Sequence, residues 1–463
     1  MIGGTTDRWF APHGQPARLA TAVILIAGCI GAVIFNWPGQ LSYDSIAQLH
    51  DGRFGHYNAW HPPVMAWMLG VADAISPGAG LFMAFDATVL TASLLSLLWM
   101  ERRCSWLAVC AAVLIVAVPQ FVLYQGIVWK DVLFADATVA GYVLLAHAAS
   151  RWTQVRIRTG LLVTAALFLA LATLTRQNGA IVLAMGAAAA AFIARSQSCS
   201  WRKSLAFGMA VLLFASVVVI VASMALAFRV VGQSGPLGQI KLLQLYDIIG
   251  MVKASPRIPL DTIAASNPDL ERLIRSDGVR LYSLQRNDTL ASSAALQSEF
   301  ADTTPSVIAA QWREIVSEHP MGYLQLRANV FGWLFLTPDA KGCIVYYAGV
   351  DGPAAYLKDL SLTRRFRPQD RVLAGYAAAL AATPLLSHAT YMLLALALIV
   401  FFLRRRRPAD IAMAWMLVAA MAFTLSFFVI SIACDYRYIL VLDLASLSAL
   451  FYCAVGGRSD STG

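Results

Sequence analysis

The sequence predicts an all-α polytopic membrane protein: about ten transmembrane helices, with membrane-surface helices in the first outer loop and a mostly helical periplasmic segment. Three observations carry this reading. Of the 463 residues, 59% are hydrophobic and only 13% charged, whereas an ordinary globular chain is near half apolar and a quarter charged. The mean hydropathy is +0.65. Apolar runs of roughly 20 residues, the length that crosses a bilayer, recur along the chain, and Lys and Arg gather at alternate turns between them. This composition excludes a soluble enzyme, a disordered chain and a nucleic-acid-binding domain, so no nucleic-acid partner is expected. The net charge of +9 is read first as topology, not as the sign of an anionic partner.

The first span covers 19–35 and follows Arg8 and Arg18. No small-residue cleavage site comes after it, so it is an uncleaved helix and not a signal peptide. The first outer loop runs over 36–79. Within it, 62–76 is too short to span and begins with Pro62-Pro63, which describes a helix lying on the membrane face. Spans follow near 80–99, 105–123, 131–149, 159–175, 179–194 and 204–228. Arg102, Arg103, Arg151, Arg156, Arg158, Arg195, Arg202 and Lys203 mark their inner ends. From 229 to 385 there is no 20-residue apolar run, and 16 basic residues are interspersed with 14 acidic ones, the pattern of an outside segment of soluble character. Inside that segment, 323–336 and 374–382 read as helices resting on the membrane. Three spans near 386–403, 409–432 and 438–456 close the chain, oriented by the four arginines at 404–407. Three parts result: a transmembrane catalytic core at 1–228, a periplasmic segment at 229–385 and C-terminal spans at 386–463, with both termini inside. The seven cysteines form no CxxC pair and no metal spacing, so no disulfide framework is expected.

The inner loops hold neither a Gly-rich phosphate loop nor a dinucleotide fingerprint, which places any chemistry outside. The first outer loop concentrates Tyr43, Asp44, Gln48, His50, Asp51, His56, Tyr57, Trp60 and His61. Asp44 opens a short helical pattern with Ile46 and Leu49 beside the apolar boundary, where a partly desolvated carboxylate serves as a general base. Asp is also a common helix cap, and both readings stand. The spacing of His50, His56 and His61 matches no compact ligand pattern, so no metal or other cofactor is expected, a divalent ion being the less favoured alternative. Lys130, Arg176 and Arg437 each sit at an outer turn, against the usual charge bias. They read either as ligands of an anionic headgroup or as ion-pair partners of neighbours such as Asp131 and Asp435. Asp136 and Asp443 fall inside spans, close enough to the outer ends to reach water.

Taken together, these landmarks resemble the GT-C superfamily of integral membrane glycosyltransferases, which includes the bacterial aminoarabinose transferase and the protein O-mannosyltransferases. The resemblance rests on Tyr43-Asp44-Ser45 with Gln48 and Gly52, on Tyr57 and Trp60-His61-Pro62-Pro63, on Trp129-Lys130-Asp131, on Arg176 with Asn178, and on Asp435-Tyr436-Arg437-Tyr438. It covers about the first 200 and the last 80 residues, while 229–370 resembles nothing named. It implies a polyprenyl-phosphate-linked sugar donor, an envelope lipid, glycan or protein acceptor, and a place in the bacterial inner membrane with the active site facing the periplasm. By the same resemblance Asp44 is the base, and Lys130, Arg176 and Arg437 hold the donor phosphate. Tyr43, Gln48, Tyr57, Trp60, His61 and Asn178 are substrate-binding positions. Several members carry an Asp-Glu pair where this chain has Tyr-Asp-Ser. Asp51, about two turns on, is the candidate second acid, with Asp131 and Asp435 as further candidates. Two other classes compete. A transporter or flippase of lipid-linked sugar calls for paired charges deeper in the bundle and a symmetry between halves that the sequence does not show. An O-antigen ligase or polymerase is disfavoured by the acid in the first loop.

Overall fold

A computed structural model describes residues 15–58, 60–101, 104–228, 230–231, 236–337 and 342–456. The expected markers Arg8, Arg102 and Arg103 lie outside the described residues. Among those residues, nine helices are long and apolar enough to cross a membrane, or ten if one bent pair counts as a single span. The first half runs α1 (Gln15–Asn36), the short α2 (Tyr43–Phe54) and α3 (Pro63–Ile75), then α4 (Gly80–Leu97), α5 (Trp106–Ala117), α6 (Pro119–Val122), α7 (Lys130–Ser150), α8 (Val155–Thr175), α9 (Ala180–Ser196) and α10 (Trp201–Ala227). One two-residue parallel pairing joins β1 (Tyr57–Asn58) to β2 (Val230–Val231).

The central helix is α7. It is buried along almost its whole length and packs on α4, α8 and two C-terminal spans. Small residues such as Ala135, Ala137, Ala140 and Gly141 let neighbouring backbones approach, the usual solution where lipid supplies no hydrophobic drive between helices. In the first loop, α2 and α3 cross at Gly52 and Gly70. A Cβ at Gly52 would lie 2.1 Å from the Ala66 oxygen, and one at Gly70 would lie 2.3 Å from the Gly52 oxygen, so only glycine permits this crossing.

The expected straight span at 105–123 is instead broken, with α5 and the stretch Pro119–Gly126 meeting at 59°. Pro119 has no N–H to continue the helical ladder, and Val118 before it is extended. The carbonyls that the break uncovers find side-chain donors: Asn36 Nδ2 reaches the Val122 oxygen at 3.2 Å, and the Tyr376 hydroxyl bonds to the Ala117 oxygen. In a bilayer such groups have no water to turn to.

The second half comprises α11 (Pro236–Ala254), several short helices, α12 (Pro305–Glu318), α13 (Pro320–Leu336), α14 (Pro368–Leu380), and the spans α15 (His388–Arg405), α16 (Pro408–Ile430) and α17 (Leu440–Gly456). Residues 245–330 enclose a core of their own, with Ile249, Ile263, Leu270, Ile308 and Leu326 among its buried side chains. The helix expected at 323–336 does not simply rest on the membrane. Its Arg327 is fully buried, 2.9 Å from Asp247, and donates to the carbonyls of Phe428 (2.9 Å) and Ser431 (2.8 Å) at the end of α16. Asp247 also accepts from Trp312 at 3.1 Å and Tyr323 at 3.0 Å. Arg327, on a helix expected to rest on the membrane, therefore fastens the segment to the bundle.

A disulfide joins Cys343 to Cys434, with Cα atoms 5.1 Å apart and a sequence separation of 91. That separation leaves no local spacing to read, which is why the cysteine pattern indicated no framework. At the opposite end of the bundle, Arg405 pairs with Asp410 and Arg407 with Glu101, while the Tyr452 hydroxyl donates to Asp410 at 2.8 Å. Asp136 and Asp443 do not reach water as expected, since both are fully buried. Gln125 donates to Asp136 at 3.2 Å, and Asp443 is bonded by His388 Nδ1 at 2.8 Å and the Tyr436 hydroxyl at 2.5 Å.

The Arg327–Asp247 pair sets a first test. Asp247→Asn leaves a guanidinium buried and uncompensated and is expected to lower unfolding stability by about 3–5 kcal/mol, whereas Asp269→Asn, in the exposed pair with Arg272, is expected to cost less than about 1 kcal/mol. Thermal unfolding in detergent reads the difference, and equal losses for the two variants would contradict this role.

Candidate active site at the first-loop end of the bundle

The site begins with the start of α2. Ser42 stands at the N-cap in extended conformation, and its backbone N–H reaches Ser45 Oγ at 3.2 Å. Ser45 Oγ donates to the Val128 oxygen at 2.7 Å, and Trp129 Nε1 donates to Ser42 Oγ at 2.8 Å. The first turn of α2 is thereby held against the entry to α7. The capping reading of Asp44 is corrected here: Ser42 occupies the cap, and the Asp44 carboxylate, in the first turn, is turned towards other partners. Its place beside the helix N-terminus still favours negative charge.

Asp44 Oδ2 lies 2.6 Å from Arg437 Nη2. The same guanidinium is 3.2 Å from Asp435 and 3.6 Å from Asp131, and it stacks over the Trp129 ring with its carbon 4.6 Å from the centroid. Asp131 also pairs with Arg176, whose guanidinium faces the rings of Phe427 (5.2 Å) and Tyr438 (5.4 Å). On the other side of Asp44, His61 Nε2 is 3.8 Å from Oδ1, and Lys130 Nζ is 2.9 Å from His61 Nδ1. Lys130, Arg176 and Arg437 thus meet in one cluster with Asp44, across turns far apart in sequence.

The cluster is not a bare cationic cradle. Asp44, Asp131 and Asp435 oppose two guanidiniums and one ammonium, so with His61 neutral the formal charges cancel. Burial by itself would raise the Asp44 carboxyl, but the Arg437 charge, helped by His61, overrides it and holds the group well below the usual carboxylate range. Burial and the neighbouring Lys130 charge push the His61 imidazole below its ordinary value. Burial raises Asp435 despite Arg437 beside it.

The other sequence-derived positions scatter. Gln48 is buried one turn on and donates to the Asp44 carbonyl at 3.3 Å. Tyr43 is exposed beside Asp44, whereas Tyr57 is buried and its backbone pairs with Val230. Trp60 is partly exposed, and its carbonyl accepts from Gln239 at 2.6 Å. Asn178 bonds to Ser426 on α16 at 3.0 Å. Asp51 is not the second acid of the cluster. It lies seven residues along α2, about 10 Å away, beside His50, while Asp131 and Asp435 are the carboxylates that share Arg437 with Asp44. The three loop histidines also separate: His50 stacks on Tyr356 at 4.2 Å and approaches Asp359 at 3.3 Å, whereas His61 faces Lys130. Among the described residues no three His, Cys, Asp or Glu side chains converge to hold a metal ion. In the Asp44 cluster the carboxylates are paired with guanidiniums. Sequence reasoning passed over Ser42 and the shelf formed by the Trp129 ring. The serines at 42 and 45, three apart at a helix start, were the available signal.

No family model matches the chain, and no curated protein matches it. The chain is similar to solved structures of the Archaeoglobus fulgidus oligosaccharyltransferase. One, a complex with zinc and sulfate, is 17% identical with a TM-score of 0.42, covering 92% of this chain and 48% of that one. The apo form is 17% identical with a TM-score of 0.45, covering 96% and 51%. The archaeal oligosaccharyltransferase AglB in complex with an inhibitory peptide and a dolichol-phosphate is 15% identical with a TM-score of 0.43, covering 93% and 50%. This chain spans about half the length of those structures.

The shifted groups make stability depend on pH in a definite direction. Between the ordinary imidazole value of 6.5 and the lower folded value of His61, the unfolded chain binds more protons. Stability is therefore undiminished above about pH 6.5 and falls as the pH drops towards the folded value. Asp44 follows the same sign in a lower window, its contribution being present above 3.8 and lost only under stronger acid. Melting temperature measured from pH 8 to pH 5 is expected to decline in the wild type and to decline less in His61→Gln. Parallel profiles for the two proteins would exclude His61 as the cause.

Proposed function

We propose that this chain is a membrane glycosyltransferase that moves a hexosyl or pentosyl group from a polyprenyl-phosphate donor to an envelope lipid, glycan or protein acceptor. The observation that carries this reading is the 2.6 Å approach of the first-loop carboxylate Asp44 to Arg437, with Arg176, Lys130 and His61 gathered around it. The first-loop and turn motifs, which resemble the GT-C superfamily, support the same assignment.

In the proposed reaction the donor phosphate takes the Arg437 guanidinium from Asp44, helped by Arg176 and Lys130. The released carboxylate recovers its basicity and accepts the proton of an acceptor hydroxyl as that oxygen attacks the anomeric carbon. The bond from the anomeric carbon to the phosphate oxygen breaks, and its electron pair leaves with the polyprenyl phosphate, whose charge the three cations stabilise. No acid has to protonate this leaving group, so a single carboxylate is enough and the anomeric centre inverts. This contrasts with glycoside hydrolysis, where a second carboxyl protonates the departing oxygen.

The proposed orientation puts the cluster on the periplasmic side of a bacterial inner membrane with both termini in the cytoplasm. The Cys343–Cys434 disulfide, adjacent to Asp435, supports it, since such bonds persist in oxidising compartments. We assign 1–228 as the catalytic transmembrane core, 229–385 as the periplasmic part that selects the acceptor, and 386–463 as the spans that complete the phosphate site.

Purified protein in proteoliposomes with a labelled polyprenyl-phosphate sugar tests the proposal. Asp44→Asn is expected to reduce transfer by about 100-fold or more while the protein stays folded at a lowered melting temperature, Asp131 and Asp435 still facing Arg437. Lys130→Ala and Arg176→Ala are expected to raise the donor KM or lower kcat. Full activity in Asp44→Asn would remove it as the base, and sugar movement across the membrane without covalent transfer would replace the enzyme with a transporter.

A further inference from the structure

The break at Pro119 has a second consequence, on the flank of α1. A concavity of about 400 Å³ opens there between α1, the bent α5–α6 pair and α14, with Gly31, Asn36, Val122, Leu373 and Tyr376 among its walls. Its two polar side chains are already engaged, Asn36 with the Val122 carbonyl and Tyr376 with the Ala117 carbonyl, so the interior offers hydrocarbon. The groove exists because a bent span cannot fill the space a straight one would, and because Gly31 places no side chain into it.

The rim is basic. Arg367 Nη1 donates to the Trp37 carbonyl at 2.5 Å, one residue beyond the wall residue Asn36, and Arg365 Nη2 donates to the Gly39 carbonyl at 3.2 Å. Arg365 Nε is buried with no hydrogen-bond partner. Arg371 is exposed on the first turn of α14, next to Val372, which lines the groove. The carboxylate among them, Asp370, is occupied by Arg367 and by Gln40 at 3.1 Å. An apolar trough with surplus positive charge where the chain leaves the membrane matches an acyl chain joined to a phosphate. A zwitterionic lipid fits the trough equally well but brings no net charge to the rim.

We propose that this groove binds an anionic glycerophospholipid, with one acyl chain against Gly31 and Leu373 and the phosphate at Arg365, Arg367 and Arg371. None of these residues belongs to the Asp44–Arg437 cluster, so the inference stands independently of glycosyl transfer.

The test uses the full chain reconstituted in nanodiscs of equal parts phosphatidylglycerol and phosphatidylcholine, followed by native mass spectrometry of the lipid that stays bound. The wild type is expected to retain phosphatidylglycerol in preference to phosphatidylcholine. A Cβ at Gly31 meets nothing within 4 Å, so the backbone there accepts a side chain, and Gly31→Leu, which extends into the groove, is expected to abolish that preference. Arg371→Gln is expected to reduce retained phosphatidylglycerol about fivefold, the usual worth of one basic side chain at a membrane surface. Equal retention of the two lipids by the wild type, or unchanged preference in both variants, would overturn the proposal.

Discussion

A single guanidinium organises the first-loop end of this protein. The Arg437 side chain is only 11% exposed, stands on the Trp129 ring and is surrounded by Asp44, Asp131 and Asp435. An uncompensated charge at such a place is costly, whereas a charge surrounded by opposite charges is tolerated. The three carboxylates come from α2, from the first turn of α7 and from the turn before α17. Satisfying Arg437 therefore fixes how three distant stretches of chain meet. It also makes the cluster electrically balanced, so an incoming anion has to displace a carboxylate, and the carboxylate nearest to hand is Asp44. In the proposed reaction, binding of the donor and release of the base are then one event.

The remaining structure keeps that arrangement in place. The Ser42 cap and Ser45 tie the start of α2 to Val128 and Trp129, leaving Asp44 free of the capping task. Behind Arg437, the turn holding Tyr436 is fastened by the buried His388–Asp443 pair, with Gln120 donating to the Tyr436 hydroxyl at 2.7 Å. In front, Gln40 receives the Gly349 N–H at 2.6 Å and donates to Asp370, which draws the stretch after the Cys343–Cys434 bridge over the base of the first loop. Each connection uses polar groups that would otherwise be stranded in a poorly hydrated region. Together these bonds hold one geometry.

Reading residues in order goes wrong at identifiable places. Pro119 was visible, but it sits in an apolar run that passes every length criterion, and hydropathy does not register a missing N–H. The helix at 323–336 read as resting on the membrane because the partner of its Arg327, Asp247, lies 80 residues earlier. Asp51 looked like the second acid because it is close to Asp44 in sequence, yet the seven residues between them run along one helix and carry it about 10 Å away. The disulfide failed to register for the same reason as Arg327, since its two halves have nothing in common locally.

Composition, apolar run length and the side on which basic residues gather are local quantities, and a bilayer acts on them directly. The all-helical multi-span class and the positions of most turns followed from them with no knowledge of packing. So did the observation that Asp44, Lys130, Arg176 and Arg437 lie at turns on the same side of the bundle. The choice of partner at that end was beyond such rules. Arg437 lies 393 residues from Asp44, and Arg176 pairs with Asp131 although Asp136 is nearer in sequence. Ion pairs in a dry region are decided by which charges the packing of α2, α7 and α17 brings within about 3 Å, because Coulomb energy there depends on separation in space and is indifferent to separation along the chain.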